Sequence, residues 1–226
     1  MKRHARAAVG AMAVWSAATM ACQAKSPPTE ATAAPPASEP VAAAQAVAAP
    51  PAGSAANVGG PAEVGKPAPP FRLKDTEGRD VELSAFRGKT VVLEWFNPDC
   101  PFVKLNHTKG PLKDMAKRVT EKGVVWLSIN SSAPGKQGHG LARNRDALGT
   151  YAMTNPLLLD EAGTVGKLYG ATRTPHVFVV NPEGVLAYAG AVDNAPDGEP
   201  PGGQKLVNYL DDALADVAAG RAVRVA

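Results

Sequence analysis

Cysteine is almost absent: Cys22 and Cys100 are the only two in 226 residues. Only Cys100 falls in the stretch from residue 62 onward. No internal disulfide can therefore staple that stretch, although an exported protein could have used one. Excess charge is also missing from most of the chain. Lys and Arg outnumber Asp and Glu by 24 to 21, and Lys2, Arg3 and Arg6 alone account for the formal +3. The remainder is balanced, so the pI of 8.9 does not argue for a nucleic-acid partner, and none is expected. Large aliphatic and aromatic side chains are missing from Gln23 to Pro61, which is almost only Ala, Pro, Ser, Thr, Val, Gly and Gln. Such a segment cannot bury enough apolar surface to offset the entropy of ordering it. There is no internal repeat. APGKQGHG, residues 133–140, lacks the G-x-x-x-x-G-K-[ST] spacing of a phosphate loop and reads as a surface loop bordering any site the chain carries.

What is present divides the chain into three parts: 1–21, 22–61 and 62–226. Met1 to Ala21 has the form of an export signal, with a basic start and an apolar Ala/Val/Met/Trp run ending in small residues. That run is too short and Ala-rich for a membrane span, which needs about 20 strongly apolar residues. Cys22, in ATMAC, resembles the lipidated cysteine of a bacterial lipoprotein signal. Ala21 fits that pattern, whereas Thr19 stands where Leu is usual and Met20 is also unusual. Ordinary cleavage nearby, or a cysteine there by chance, are the competing readings. Residues 22–61 read as a proline-stiffened, disordered linker, either a tether between a membrane-anchored end and a folded domain or a tail with no function. The expected location is the periplasmic face of a bacterial membrane, with the lipid anchor as the membrane contact.

Residues 62–226 suit one domain with its own core. Val81–Leu83 reads as a short strand after the turn signal EGRD, and Thr90–Phe96 as a central strand dense in β-branched and aromatic residues. Pro101 suits the first position of a helix, which runs toward Thr108, breaks near Gly110-Pro111, and resumes through Lys122. Strands are predicted over Val124–Ile129 and Pro156–Asp160, and helices around Asp146–Met153 and over Thr164–Tyr169. His176–Asn181 and Val185–Val192 form a hairpin about the turn PEG. Lys205–Ala219 carries Leu206, Tyr209, Leu210, Leu214 and Val217 at the spacing of a closing amphipathic helix. Strands alternating with helices predict an α/β arrangement around a mixed sheet.

Three segments resemble a known group. VVLEWFNPDC is similar, position for position, to the strand-to-active-site segment of thioredoxin-fold proteins. VGKPAPPFRLKDTEGRDVELSAFRGKTVVL resembles the redoxin group, meaning peroxiredoxins and membrane-tethered thioredoxin-like proteins. LYGATRTPHVFVVNPEG resembles that group's cis-proline loop and following hairpin. The resemblance spans Val64 to Val192. It implies a thioredoxin-like α/β fold, with a central mixed β-sheet flanked by helices and a cis-Pro loop. The group includes thiol peroxidases, disulfide reductases and members with no known reaction. Within it, Cys100 matches the attacking cysteine, and Glu94 a carboxylate buried under the active site. Pro175 matches the cis-proline, and Thr174 before it supplies backbone to a bound substrate. The pattern also departs: Val103 stands where a C-x-x-C has its second cysteine, and Leu93 where a peroxiredoxin has its first proline. Asn97 replaces the Thr or Ser that hydrogen-bonds the thiolate.

Each of these residues carries a chemical reading and a plainer one. Cys100 at a helix N-terminus gains from unpaired N–H groups and the helix dipole, and Lys104 one turn on adds positive charge. Asp99 works against both, and helix capping is an equal use for it. A small buried hydrophobe is the plainer role for Cys100. Glu94 within an apolar strand is expected to titrate above its usual value and to exchange protons with the sulfur; an edge position or a salt bridge is the alternative. Arg173 can stabilise a thiolate or a peroxide oxygen, or simply be solvated. His176 can donate a proton, or be a hydrogen-bonded strand residue. Cys100, His107 and His176 would make a thiolate–imidazole metal set, but copper-delivery relatives use a second cysteine, so neither metal nor cofactor is expected.

With Val103 in the partner slot, thioredoxin-type dithiol reduction is blocked within this domain. The expectation is a thiol-dependent oxidoreductase with one-cysteine, peroxidase-like antioxidant chemistry in the cell envelope. It would use a peroxide or disulfide substrate and an external thiol reductant. The alternative is a non-catalytic or mixed-disulfide-forming module that binds peptides or proteins.

Overall fold

A computed structural model describes residues 60–224. The expected export signal, Cys22 and nearly all of the expected linker lie outside the described residues. The described part is built on a sheet of seven strands. In chain order these are β1 (Arg72–Asp75), β2 (Asp80–Glu82), β3 (Val91–Trp95), β4 (Val125–Asn130), β5 (Leu157–Leu159), β6 (His176–Val180) and β7 (Leu186–Gly190). The helices are α1 (Pro101–Thr108), α2 (Met115–Thr120), α3 (Leu141–Thr150), α4 (Thr164–Tyr169) and α5 (Tyr209–Ala218). The spatial order is β2-β1-β5-β4-β3-β6-β7. β3, β4 and β5 run parallel to their neighbours among themselves, while β1, β2, β6 and β7 pair antiparallel. The sheet is mixed, as the alternation of elements predicts.

All five residues of β3 are buried, which is what a strand covered on both faces requires. Their alternation separates two cores. Val92 joins Trp126, Val177 and Val179 against Met115 and Val119 of α2 and Leu210 and Ala213 of α5. Leu93 and Trp95 join Leu127, Ile129, Phe178 and Val180 against Val165 and Tyr169 of α4. A third cluster, of Phe96, Val103, Ala147, Tyr151 and Leu157, lies between α1, α3 and the sheet, and Cys100 packs on it.

Three elements differ from the sequence reading. β1 was not expected, because RLKD offers no apolar alternation. Arg72 and Lys74 are exposed, and β1 is tied to β2 by the ion pairs Arg72–Asp80, Arg72–Glu82 and Lys74–Asp80. α3 starts at Leu141, five residues before the expected Asp146. A polar residue occupies its core side: buried Asn144 bonds Asn130, Gly138 and Gly140. α5 starts at Tyr209 rather than Lys205, because the Asn208 side chain accepts from the Asp211 N–H and caps it. Leu206 therefore lies outside the helix and is exposed.

Candidate active site

The site forms where β3 runs into α1. Four residues, Asn97 to Cys100, make the turn between them, and Asn97 organises it. Its Oδ1 accepts from the Asp99 N–H at 2.9 Å, and its Nδ2 donates to Ser132 Oγ and the Gln137 carbonyl. The Cys100 N–H returns to the Asn97 carbonyl at 3.1 Å. Asn97 thus holds the loop and does not bond the sulfur. Cys100 is the N-cap residue of α1, Pro101 occupies the first turn, and the sulfur is half-buried.

The Thr174–Pro175 bond is cis, and the Cys100 Sγ donates to the Thr174 carbonyl at 3.2 Å. Two segments 74 residues apart in sequence are thereby brought to one point. Val103, one helical turn on, is fully buried against Phe96, Ala147, Tyr151 and Leu157. Apolar packing fills the place a second sulfur would take.

The 131–140 segment folds over this turn, as a loop bordering it should. Besides its two bonds to Asn97, Gln137 Nε2 donates to the Asp99 carbonyl at 2.6 Å. Gly138 has φ of +77° and abuts the Asn97 side chain so closely that a Cβ there would collide with it. From α3, Arg143 donates twice to Asp99 Oδ1, from Nε at 2.8 Å and Nη2 at 2.6 Å, and once to the Pro98 carbonyl at 3.2 Å. Tyr151 also donates to the Pro98 carbonyl. Asp99 is an ion-pair partner here and does not cap α1 through its side chain.

Glu94 is wholly buried, but the expected rise in its pKa is overturned. Burial pushes it up; the positive charge of His107, with hydrogen bonds from His107, Trp126 and Ser128, outweighs that and holds the carboxyl below its usual range. His107 Nε2 meets Oε1 at 2.6 Å, while Trp126 Nε1 and Ser128 Oγ donate to Oε2 at 3.0 and 2.9 Å. The imidazole in turn is lowered by burial but raised further by the Glu94 charge and bond, and ends above its ordinary value. The carboxylate is satisfied on both oxygens and has no hydrogen bond to Cys100.

The remaining candidates make no side-chain hydrogen bond to the sulfur, whose one partner among the described residues is the Thr174 carbonyl. Lys104 is exposed and reaches Cys100 only through its backbone N–H. Arg173 is exposed and lines a cavity of about 380 Å³ with Tyr188 and Tyr209, beside the cis-proline loop. His176 is buried, stacked on Phe178, and its Nδ1 has no hydrogen-bond partner. Burial, and then the Arg173 charge, push it down to about 4. It is neutral near pH 7 and is not the satisfied strand residue of the sequence reading. His107 faces Glu94, while His176 stacks with Phe178 in the opposite core, so the two imidazoles do not converge with Cys100. Among the described residues no group of three or more His, Cys, Asp or Glu side chains is arranged to hold a metal.

Sequence reasoning missed Arg143, Gln137 and Tyr151 as supports of the cysteine turn, and His107 as the partner of Glu94. The place of His107, two helical turns after Cys100 on roughly the same face, is legible in the sequence, but it suggests a metal ligand and not a partner for Glu94. Nothing in the sequence linked Arg143 to Asp99.

Known proteins similar to this chain fall on both sides of the redoxin group. The chain is 28% identical over 117 residues to the thiol-disulfide oxidoreductase ResA of Bacillus subtilis, covering 52% of this chain and 61% of that protein. It is 29% identical over 125 residues to the chloroplastic peroxiredoxin Q of Sedum lineare, covering 52% and 63%. The chain thus spans about three-fifths of the length of these relatives. In structure it is similar to a hypothetical protein from Sinorhizobium meliloti, with 28% identity and a TM-score of 0.63 over 72% of this chain and 87% of that one. The fold is thioredoxin-like. With the Redoxin family matching residues 63–206, which hold the sheet, the cysteine turn and the cis-proline loop, the chain belongs to that family.

Proposed function

We propose that this protein is a thiol-dependent oxidoreductase that works through Cys100 alone, with peroxidase-like antioxidant chemistry. One observation carries the reading: a half-buried thiol at the start of α1, bonded to the Thr174 carbonyl at 3.2 Å, with Val103 sealed into the position of a second sulfur. Similarity to peroxiredoxin Q supports it. The Cys100 thiolate attacks the outer oxygen of a peroxide, the O–O bond breaks, and the leaving oxygen departs as water or alcohol once protonated. The resulting sulfenic acid condenses with an external thiol, releasing water and leaving a mixed disulfide. A second external thiol attacks that bond, regenerates Cys100 and leaves as the oxidised disulfide. The external thiol supplies both electrons, because the described residues contain no resolving cysteine.

In this scheme Cys100 is the nucleophile, and Thr174 and cis-Pro175 present the backbone that faces it. Arg173, next to Thr174, is an exposed cation on the same loop. Glu94 fixes α1 beneath the sulfur. The action is placed outside the cytoplasm, from a lipid-anchored stalk, on the strength of the export signal and Cys22. Similarity to ResA favours a second reading, in which Cys100 exchanges with protein or small-molecule disulfides. Peroxide consumption by the purified chain with several thiol donors, against Cys100→Ser, tests the first. Turnover lost in Cys100→Ser supports it; absence of turnover with every donor, alongside mixed disulfides trapped through Cys100, replaces it with the second.

A further inference from the structure

Asp99 is an awkward neighbour for a reactive thiol. A carboxylate one residue before Cys100 disfavours formation of a second negative charge there. The structure places an answer on a different element. Arg143, the third residue of α3, directs two N–H groups at Asp99 Oδ1, at 2.6 and 2.8 Å, and one at the Pro98 carbonyl, at 3.2 Å. One guanidinium therefore spans the last two residues before the sulfur. A planar, permanently charged fork is suited to this and an ammonium is not. The pair is only partly exposed, with the two side chains 35% and 33% accessible, so water screens it incompletely.

We propose that Arg143 is a positioning residue for Cys100: it cancels the Asp99 charge beside the thiol and holds Pro98 and Asp99 so that the sulfur faces the Thr174 carbonyl. This rests on reading Cys100 as a reactive thiol, and it assigns a role to α3 that no relative's name implies. Other charged and titratable groups border the turn. Tyr151, at the end of α3, has its hydroxyl pushed up by burial and stays neutral; Lys104 lies on α1 and Arg173 on the cis-proline loop. Among the described residues none of these forms an ion pair with Asp99. They are constant across the variants below, so the effect of the pair can be separated from theirs.

The test is made on the full chain carrying Cys22→Ser, in which Cys100 is the only thiol. Thiolate absorbance and the rate of alkylation by iodoacetamide are followed against pH. Arg143→Gln leaves Asp99 uncompensated, so the thiolate midpoint moves up by about 0.5–1 pH unit, and alkylation below the midpoint slows by roughly three- to tenfold. Asp99→Asn leaves an unopposed guanidinium, and both quantities move the opposite way. The double variant returns to within about twofold of the parent, and Arg143→Lys falls between the parent and Arg143→Gln. Loss of packing alone would not give opposite signs for the two partners. Should Arg143→Gln fail to fold by circular dichroism, the downward shift in Asp99→Asn and its reversal in the double variant Asp99→Asn with Arg143→Gln, which leaves no unpaired charge, carry the test. Shifts of the same sign in both single variants, or none in either, overturn the proposal. Peroxide turnover does not enter the measurement. Opposite shifts without turnover would leave the role of Arg143 standing while removing the peroxidase reading.

Discussion

At the residue scale the most consequential side chain is Glu94, a wholly buried carboxylate in the middle of β3. Alone it would be neutral, since burial disfavours charge. His107 reverses that, and the two form an ion pair between the sheet and α1. Removing one partner leaves the other charge buried and unpaired, so Glu94→Gln or His107→Leu is expected to cost about 3–5 kcal/mol. The pH dependence follows from the directions of the shifts. Glu94 is lowered, so its contribution is complete above its ordinary value of 4.5 and is lost as pH falls through the lower folded value. His107 is raised, so its contribution is complete below 6.5 and is lost as pH rises through the higher folded value. The pair contributes most between 4.5 and 6.5. His176 acts oppositely: with a folded value of about 4 it removes stability as pH falls below 6.5. The difference in urea stability between parent and variant isolates the pair. A difference that does not shrink on the alkaline side would show that His107 is uncharged in the folded protein.

At the scale of elements, α1 decides what kind of thiol chemistry is open. Cys100 at its N-cap and Val103 one turn later lie on the same side of the helix, and Val103 is fully buried. Val103→Cys is nearly neutral in volume and is expected to install a dithiol that closes on mild oxidation. Mass spectrometry of the chain after oxidation and alkylation, compared with the parent, reads the result. If both thiols remain free to alkylate, α1 does not present the two positions to each other. These features were legible because they are local. The apolar run of β3, Pro101 as a helix start, and the hairpin β6–β7 each announce themselves within one short stretch of sequence. The cis bond at Thr174–Pro175 came from family resemblance, since composition is silent on it. What stayed hidden was polar and long-range. β1 is charged and lies near the edge of the sheet, Asn144 uses hydrogen bonds where a pattern looks for apolar contact, and Arg143 meets Asp99 from 44 positions away. Charge pairing between elements has no period along the chain. Glu94 shows the same limit from the other side: its burial was readable, but its partner, and so its charge state, was not.

At the scale of the whole molecule, a redoxin domain with one cysteine has to draw its electrons from elsewhere, and Cys22 determines how strict that dependence is. If Cys22 carries lipid, its sulfur is a thioether and can neither attack a sulfenic acid nor join a disulfide. Cys100 is then the only free thiol in the mature protein. If the signal is cut before Cys22 without lipidation, or is not cut, two thiols remain. The lipidated form is proposed because it gives the residues 22–61 a mechanical purpose: a proline-rich spacer that joins a bilayer surface to a redox domain. Two lipid signals are generally needed for stable membrane attachment, and an N-terminal cysteine modified on both its sulfur and its amine would supply them. Metabolic labelling with a radioactive fatty acid is therefore expected to mark the parent chain and not Cys22→Ser. A thiol count on the denatured mature protein is expected to return one. A count of two with no label would remove the anchor, and would leave Cys22 available as a second source of electrons.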